Sequence, residues 1–204
     1  MWHTDTTRLD CSDVQGERYS AIFTHNNAKI GGSLFASKTI LSSKSDSFER
    51  RAQGADFLFA SGRTRADGGA LACIGSSFHL EKVTIQENRA GHRDSLIKKG
   101  SGGGIYGVLC DLSITDGILK SNTAADKGAA IFLESLSAAS IMHTRIESNS
   151  AGATGGGIFA AYMEMFELGD YSVVTHNRAA FGGGLYIEDA WTSPLIESCK
   201  FSFN

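Results

Sequence analysis

Glu134 and Glu188 have the strongest claim in this chain to acid–base chemistry on a sugar. Each closes a strand-like phrase, "GAAIFLE" and "GGGLYIE", and Ala161 holds the matching place in "GGGIFAA" between them. Glycoside hydrolysis with inversion needs two carboxyl groups roughly 6.5–9.5 Å apart, one protonated and one ionised. Two rises of stacked strands would separate this pair by roughly 10 Å, at the upper limit, and Asp189 lies beside Glu188. Solvated outer charges are the commoner meaning of such a pattern. No catalytic residue is therefore assigned.

The remaining chemistry is sparser. His25 and His176 each precede an asparagine in "THN", several units apart, too distant to share a metal. His3, His79, His92 and His143 show no ligand spacing, and no Ser, His and Asp set can be named in register. Cys11, Cys73, Cys110 and Cys199 lie far apart without a CxxC pair, which disfavours a metal site and leaves three possible disulfide pairings. The triplet in "NSAGATGGGIFAA" resembles a phosphate cradle, but no GK[ST] follows and no helix begins there. No N-x-[ST] sequon is present. The expectation is no cofactor and no metal.

A repeat explains the glycines. Six of the seven asparagines, Asn26, Asn88, Asn122, Asn149, Asn177 and Asn204, share a context, and the last three intervals (122 to 149 to 177 to 204) are 27, 28 and 27 residues. Three places before each stands an apolar residue, Phe23, Ile85, Leu119, Ile146, Val174 or Phe201. Two places after each, wherever the chain continues, stands Ala28, Ala90, Ala124, Ala151 or Ala179. A small-residue pair and an aliphatic residue follow in "GGSLF", "GGALA", "GGGIY", "GAAIF", "GGGIF" and "GGGLY".

A period near 27 residues with short strands and no sustained helical spacing predicts an all-β chain, one β-solenoid coil per unit, with three strands and three bends in each. Equivalent residues would then stack about 4.8 Å apart. The asparagines should form a ladder like those of cross-β stacks, and should accept the left-handed conformation of a bend. The aliphatic column should point inward. The next column, Phe35, Ala72, Tyr106, Phe132, Phe159 and Tyr186, gives a candidate contact stripe of Phe35, Tyr106, Phe132, Phe159 and Tyr186, with burial or coverage favoured because a row of exposed Phe aggregates.

About six to seven coils of ~27 residues are expected over residues 19–204, with residues 1–18 as an N-terminal segment resembling an incomplete coil. Two insertions interrupt the period, "SSKSDSFERRAQG" (42–54) and "GHRDSLIKKGS" (91–101), and "FASG" (59–62) replaces an expected FxxN. Solenoid insertions map to loops on one face, often a binding face. The chain stops inside a motif at Asn204, which suggests a longer array or a neighbour that covers the open coil.

The totals narrow the class. With 24 Gly and one Pro, 42% hydrophobic and 20% charged residues, the chain is globular and turns often. A formal net charge of −3 gives no electrostatic case for nucleic acid, and "ERR" (49–51) and "RTR" (63–65) read as loop charges. No apolar run is long enough for a transmembrane helix, and no signal peptide is visible.

The alternation of FxxN-type motifs, "FTHN" (23–26) and "FSFN" (201–204), with "GGSL" (31–34), "GGAL" (68–71), "GGGI" (102–105, 155–158) and "GGGL" (182–185) resembles the tandem repeats of the polymorphic outer membrane protein (Pmp) family. Several copies relax to IxxN, LxxN or VxxN. The resemblance covers about residues 19–204. It implies a right-handed parallel β-helix in a surface-displayed adhesin, without catalytic residues to carry over. The functional expectation is a non-catalytic module of a surface or extracellular protein, acting as adhesin, spacer or scaffold with protein or glycan partners. The alternatives are a structural subunit of a larger assembly, with neighbouring subunits capping its open coils, and a carbohydrate-active enzyme on the same fold.

Overall fold

The computed structural model describes residues 5–6, 21–28, 30–32, 34–37, 39–43, 57–65, 67–91, 100–135 and 137–204. The chain is an all-β solenoid: every described strand pairs in parallel, into sheets of eleven, seven and five strands, and no helix occurs among the described residues. The seven-stranded sheet, from Ala21–Thr24 through Phe57–Ala60 to Lys200–Ser202, records seven passes of the chain along one face. The strand Asp5–Thr6 pairs with Thr39–Ser43, so the N-terminal segment supplies a rung of its own. Residues 44–56 and 92–99, the bulk of both insertions, lie outside the described residues. The feet of the second, Gly91 and Gly100, touch: a Cβ on Gly100 would sit 2.4 Å from the Gly91 Cα.

The coils beginning at Leu34, Leu71, Ile105 and Ile131 each have four strands, one more than the period suggested, and the coil beginning at Ile158 reduces its fourth to a single bridge at Arg178. In the coil that begins at Leu71, the first and second strands run on as Leu71–Glu81, the third is Val83–Gln86, and the fourth is only Arg89–Ala90. Two residues leave no periodic signature of their own, which is why the fourth strand was not legible. A left-handed residue marks every bend: Gly75, Lys82 and Glu87 in this coil, then Gly102 before the next one begins.

The third bend corrects one expectation. The left-handed residue is the one before each ladder asparagine (His25, Glu87, Ser121, Ser148, His176, Phe203), and Ser61 before Gly62, with φ between 53 and 57°. The asparagine itself must aim its amide inward, so the chain turns one residue earlier. Of the four bends, only the fourth is always glycine, at Gly31, Gly68, Gly102, Gly128, Gly155 and Gly182. A Cβ on Gly155 would lie 2.4 Å from the Ile158 carbonyl oxygen, a backbone atom that cannot swing away, whereas a Cβ on Gly75 would meet nothing within 4 Å. Bends that face solvent accept any side chain, and the bend folded against its own strand does not. Gly155→Ala should therefore lower stability by about 2 kcal/mol or more, the left-handed penalty plus the clash. Ser148→Gly should be neutral or stabilising by under about 1 kcal/mol; paired urea titrations check both.

The core is a bundle of inward columns. Leu71, Ile105, Ile131 and Ile158 stack in register on the first strands, Leu80, Ile114, Ile141 and Leu168 on the second, and Ile85, Leu119, Ile146 and Val174 on the third, all buried. Ala90, Ala124 and Ala151 line the fourth strand, where small side chains let it close over the ladder. The irregular unit keeps this register: Gly62 takes the asparagine position, and buried Thr64 pairs with Ala28 and Ala90.

Candidate interaction surfaces

Asparagine ladder. The Asn149 Oδ1 accepts both the backbone N–H (2.9 Å) and the side-chain amide (3.1 Å) of Asn122. The Asn149 side-chain nitrogen donates onward to Asn177 Oδ1 (2.9 Å) and back to the Leu119 carbonyl (3.0 Å). The same set recurs at Asn88, Asn122 and Asn177, and ends on Asn204, whose amide reaches the Val174 carbonyl at 2.9 Å. The apolar residue of each motif thus has two tasks, filling the core with its side chain and receiving the next asparagine with its carbonyl. At Gly62 the side chain is missing, yet its N–H still donates to Asn88 Oδ1 at 2.8 Å. Asn26 begins the column and is half buried. These amides are satisfied within the stack and are not offered to a partner.

A second ladder escaped the sequence reading. Gly117, Thr144, Ser172 and Cys199 occupy one position of successive coils, at intervals of 27, 28 and 27 residues (117 to 144 to 172 to 199). Gly117 N–H donates to Thr144 Oγ1 (3.3 Å), and Thr144 N–H to Ser172 Oγ (3.1 Å). The Cys199 thiol stands where the Ser172 hydroxyl does, donating to the Leu168 carbonyl at 3.0 Å as Ser172 donates to that of Ile141. Burial pushes its pKa up. The period was present, but the residue type drifted from coil to coil and concealed it.

Aromatic column. Tyr106, Phe132, Phe159 and Tyr186 stack in parallel register, with centroids 5.1, 5.1 and 5.6 Å apart and nearly parallel ring planes. They form a cluster separate from the aliphatic core, on the other side of the strand. Phe132 (5% exposed) and Phe159 (1%) are closed off, and the Lys127 ammonium lies 4.6 Å from the centre of the Phe159 ring. Ala72 interrupts the stack, and Phe35 is placed beyond it by register. Of the four stacked rings, Tyr106 and Tyr186 remain half-exposed.

Burial, with Asp67 and then Glu134 nearby, pushes the Tyr106 phenol up to about 12. A phenol ionises near 10 in the unfolded chain. Its neutral form therefore stabilises the fold fully below about pH 10, and that contribution is lost as pH rises towards 12. Tyr106→Phe should shift the alkaline unfolding midpoint upward, as read by circular dichroism across that range.

Charged and polar columns. Register places Glu134, Ala161 and Glu188 in one column, so the carboxylates are two rises, roughly 10 Å, apart. Asp189 is the left-handed bend residue that follows, exposed to solvent. His25 and His176 occupy the third-bend column in distant coils, and the His176 ring stacks on Phe203 at 5.0 Å. Register also brings together a set the sequence did not disclose: His79, Ser113, Ser140 and Glu167 side by side on the outer face of the second strands. There Ser77 Oγ reaches Asp111 Oδ2 at 3.3 Å, and Ser140 Oγ reaches Glu167 Oε2 at 3.4 Å. These side chains lie on an open sheet face, where water competes for every hydrogen bond.

Cross-link. Cys73 and Cys110 form a disulfide in the core, with Cα atoms 5.8 Å apart. Gly107 makes room for it: a Cβ there would meet the Cys110 Cβ at 3.1 Å. Cys11 lies outside the described residues. No helix among the described residues is long and apolar enough to cross a membrane, and no group of three or more His, Cys, Asp or Glu among them could hold a metal. No family model, curated protein or solved structure matches the chain.

Proposed function

We propose that this chain is a non-catalytic β-helical repeat module of a surface or extracellular protein, acting as adhesin, spacer or scaffold. The observation that carries the reading is where the order resides. Hydrogen-bonding side chains run along the axis into the asparagine and hydroxyl ladders, while the outer columns of the second and fourth strands change residue type from coil to coil. That is the design of a stiff support with a variable face. The buried Cys73–Cys110 cross-link fits an oxidising compartment, and the motif alternation resembles that of Pmp-type passenger repeats.

The test is adhesion of the purified chain to cells and glycan-coated surfaces, beside assays for polysaccharide cleavage. Saturable adhesion that survives Glu134→Gln and Glu188→Gln supports the module. Polysaccharide turnover lost in either variant would replace it with the carbohydrate-active enzyme.

A further inference from the structure

The outer column of the fourth strands reads Asn27, Arg63, Arg89, Thr123, Ser150 and Arg178 in register. Arg63 and Arg89 are direct neighbours, one strand spacing apart, roughly 4.8 Å. Arg65 lies two residues along the chain from Arg63, with buried Thr64 between them facing inward. Arg63 and Arg65 are exposed and Arg89 is half-exposed. Among the described residues the ion pairs are Lys82–Glu81 and Arg145–Glu147, and none engages these three arginines. Of the nearby carboxylates, Asp67 Oδ1 takes the Ser101 N–H at 2.8 Å, and Glu87 sits at the third bend.

Like charges placed directly opposite each other across a strand pair destabilise it, and the next two rungs avoid the problem with Thr123 and Ser150. A local rule broken at one place on an otherwise regular surface marks a site with another use.

We propose that this corner binds an anionic polysaccharide. One carboxylate or sulfate bridges the guanidinium groups of Arg63 and Arg89, and Arg65 takes the next charge along the glycan. The column favours a glycan over nucleic acid: beside the arginines it offers the Asn27 amide and the Thr123 and Ser150 hydroxyls for sugar hydroxyls, and no ring on which a base would stack. The proposal rests on the surface-module reading and supplies its ligand class.

The test is binding of the full chain to size-defined heparin fragments by calorimetry, at low and at physiological salt. Arg89→Thr borrows the residue of the next rung, so the coil should fold with an equal or higher Tm. It should weaken binding roughly tenfold, and more when combined with Arg63→Ala. Arg178→Ala, in the same column without an arginine neighbour, should stay within about twofold of the unmodified chain. Unchanged binding in Arg89→Thr overturns the proposal. So does an equal loss in Arg178→Ala, which would mean that only total charge matters, or equally tight binding of oligo-dT. Absence of adhesion to any surface, with heparin binding intact and sensitive to Arg89, would instead count against the adhesin role alone.

Discussion

Asn149→Ala is expected to destabilise the protein by about 2 to 5 kcal/mol, measured by urea unfolding, although the side chain removed is small and polar. Asn149 is fully buried, and its amide serves four hydrogen bonds across three coils. Truncation leaves the Asn122 N–H without its acceptor in a dry interior, at about 1–3 kcal/mol, and removes a hydrogen bond each from the Asn122 amide, the Leu119 carbonyl and Asn177 Oδ1. Asn149→Asp keeps the shape but removes both amide donors, and brings a carboxylate towards the Leu119 carbonyl and Asn177 Oδ1. Burial and those oxygens raise its pKa, so this variant should be most stable at acidic pH and weaken as pH rises through the carboxylate range. A loss under about 1 kcal/mol in Asn149→Ala would mean that the ladder merely accompanies the hydrophobic columns.

Removing the disulfide should rival that effect. The bond closes a loop with a sequence separation of 37, worth about 4 kcal/mol in the chain-entropy treatment. The doubly substituted Cys73→Ala/Cys110→Ala protein should therefore lose about 8–16 °C in Tm, given about 2–4 °C per kcal/mol for a chain of this size. Both sulfur atoms belong to fully buried residues. Reductant added to the folded protein should act slowly, then lower the midpoint once unfolding exposes the bond. Rapid reduction at ambient temperature, or an unchanged Tm in the double variant, would show that this region opens readily.

How legible the fold was depended on which side chains face inward. The asparagines, the alanines after them and the fourth-bend glycines are each held by a contact that strongly favours one residue type, so their columns survive in the sequence. The other three bends point their left-handed residues at solvent, where Lys82, Asp116 and His143 serve equally at the second one, and they left no signal. Gly62 and Thr64 hid a complete coil because they depart from the motif while keeping the register. Gly117, Thr144, Ser172 and Cys199 hid a ladder because a hydroxyl, a thiol and a bare backbone can occupy one position in turn.

Chemistry was harder to read than architecture. His79 and Ser113 are 34 residues apart (79 to 113) and become neighbours through register alone. The sequence shows the "RTR" pair of arginines, yet nothing in its spacing says that Arg89 lies beside Arg63. The pairing of Cys73 with Cys110 required the Cα separation, since four cysteines permit three arrangements.

On the proposed reading, coil-to-coil stacking along the asparagine ladder makes this chain a stiff support for its outer face. Native-state hydrogen exchange tests it most directly, followed at the backbone amides of Asn88, Asn122, Asn149 and Asn177, each bonded to the next ladder side chain at 2.9–3.0 Å. Asn88, Asn122 and Asn149 should exchange only through global unfolding, among the slowest amides in the protein. Exchange of Asn88, Asn122 and Asn149 as fast as unprotected amides, without global unfolding, would show that the coils part locally, and would contradict the stiff-support reading.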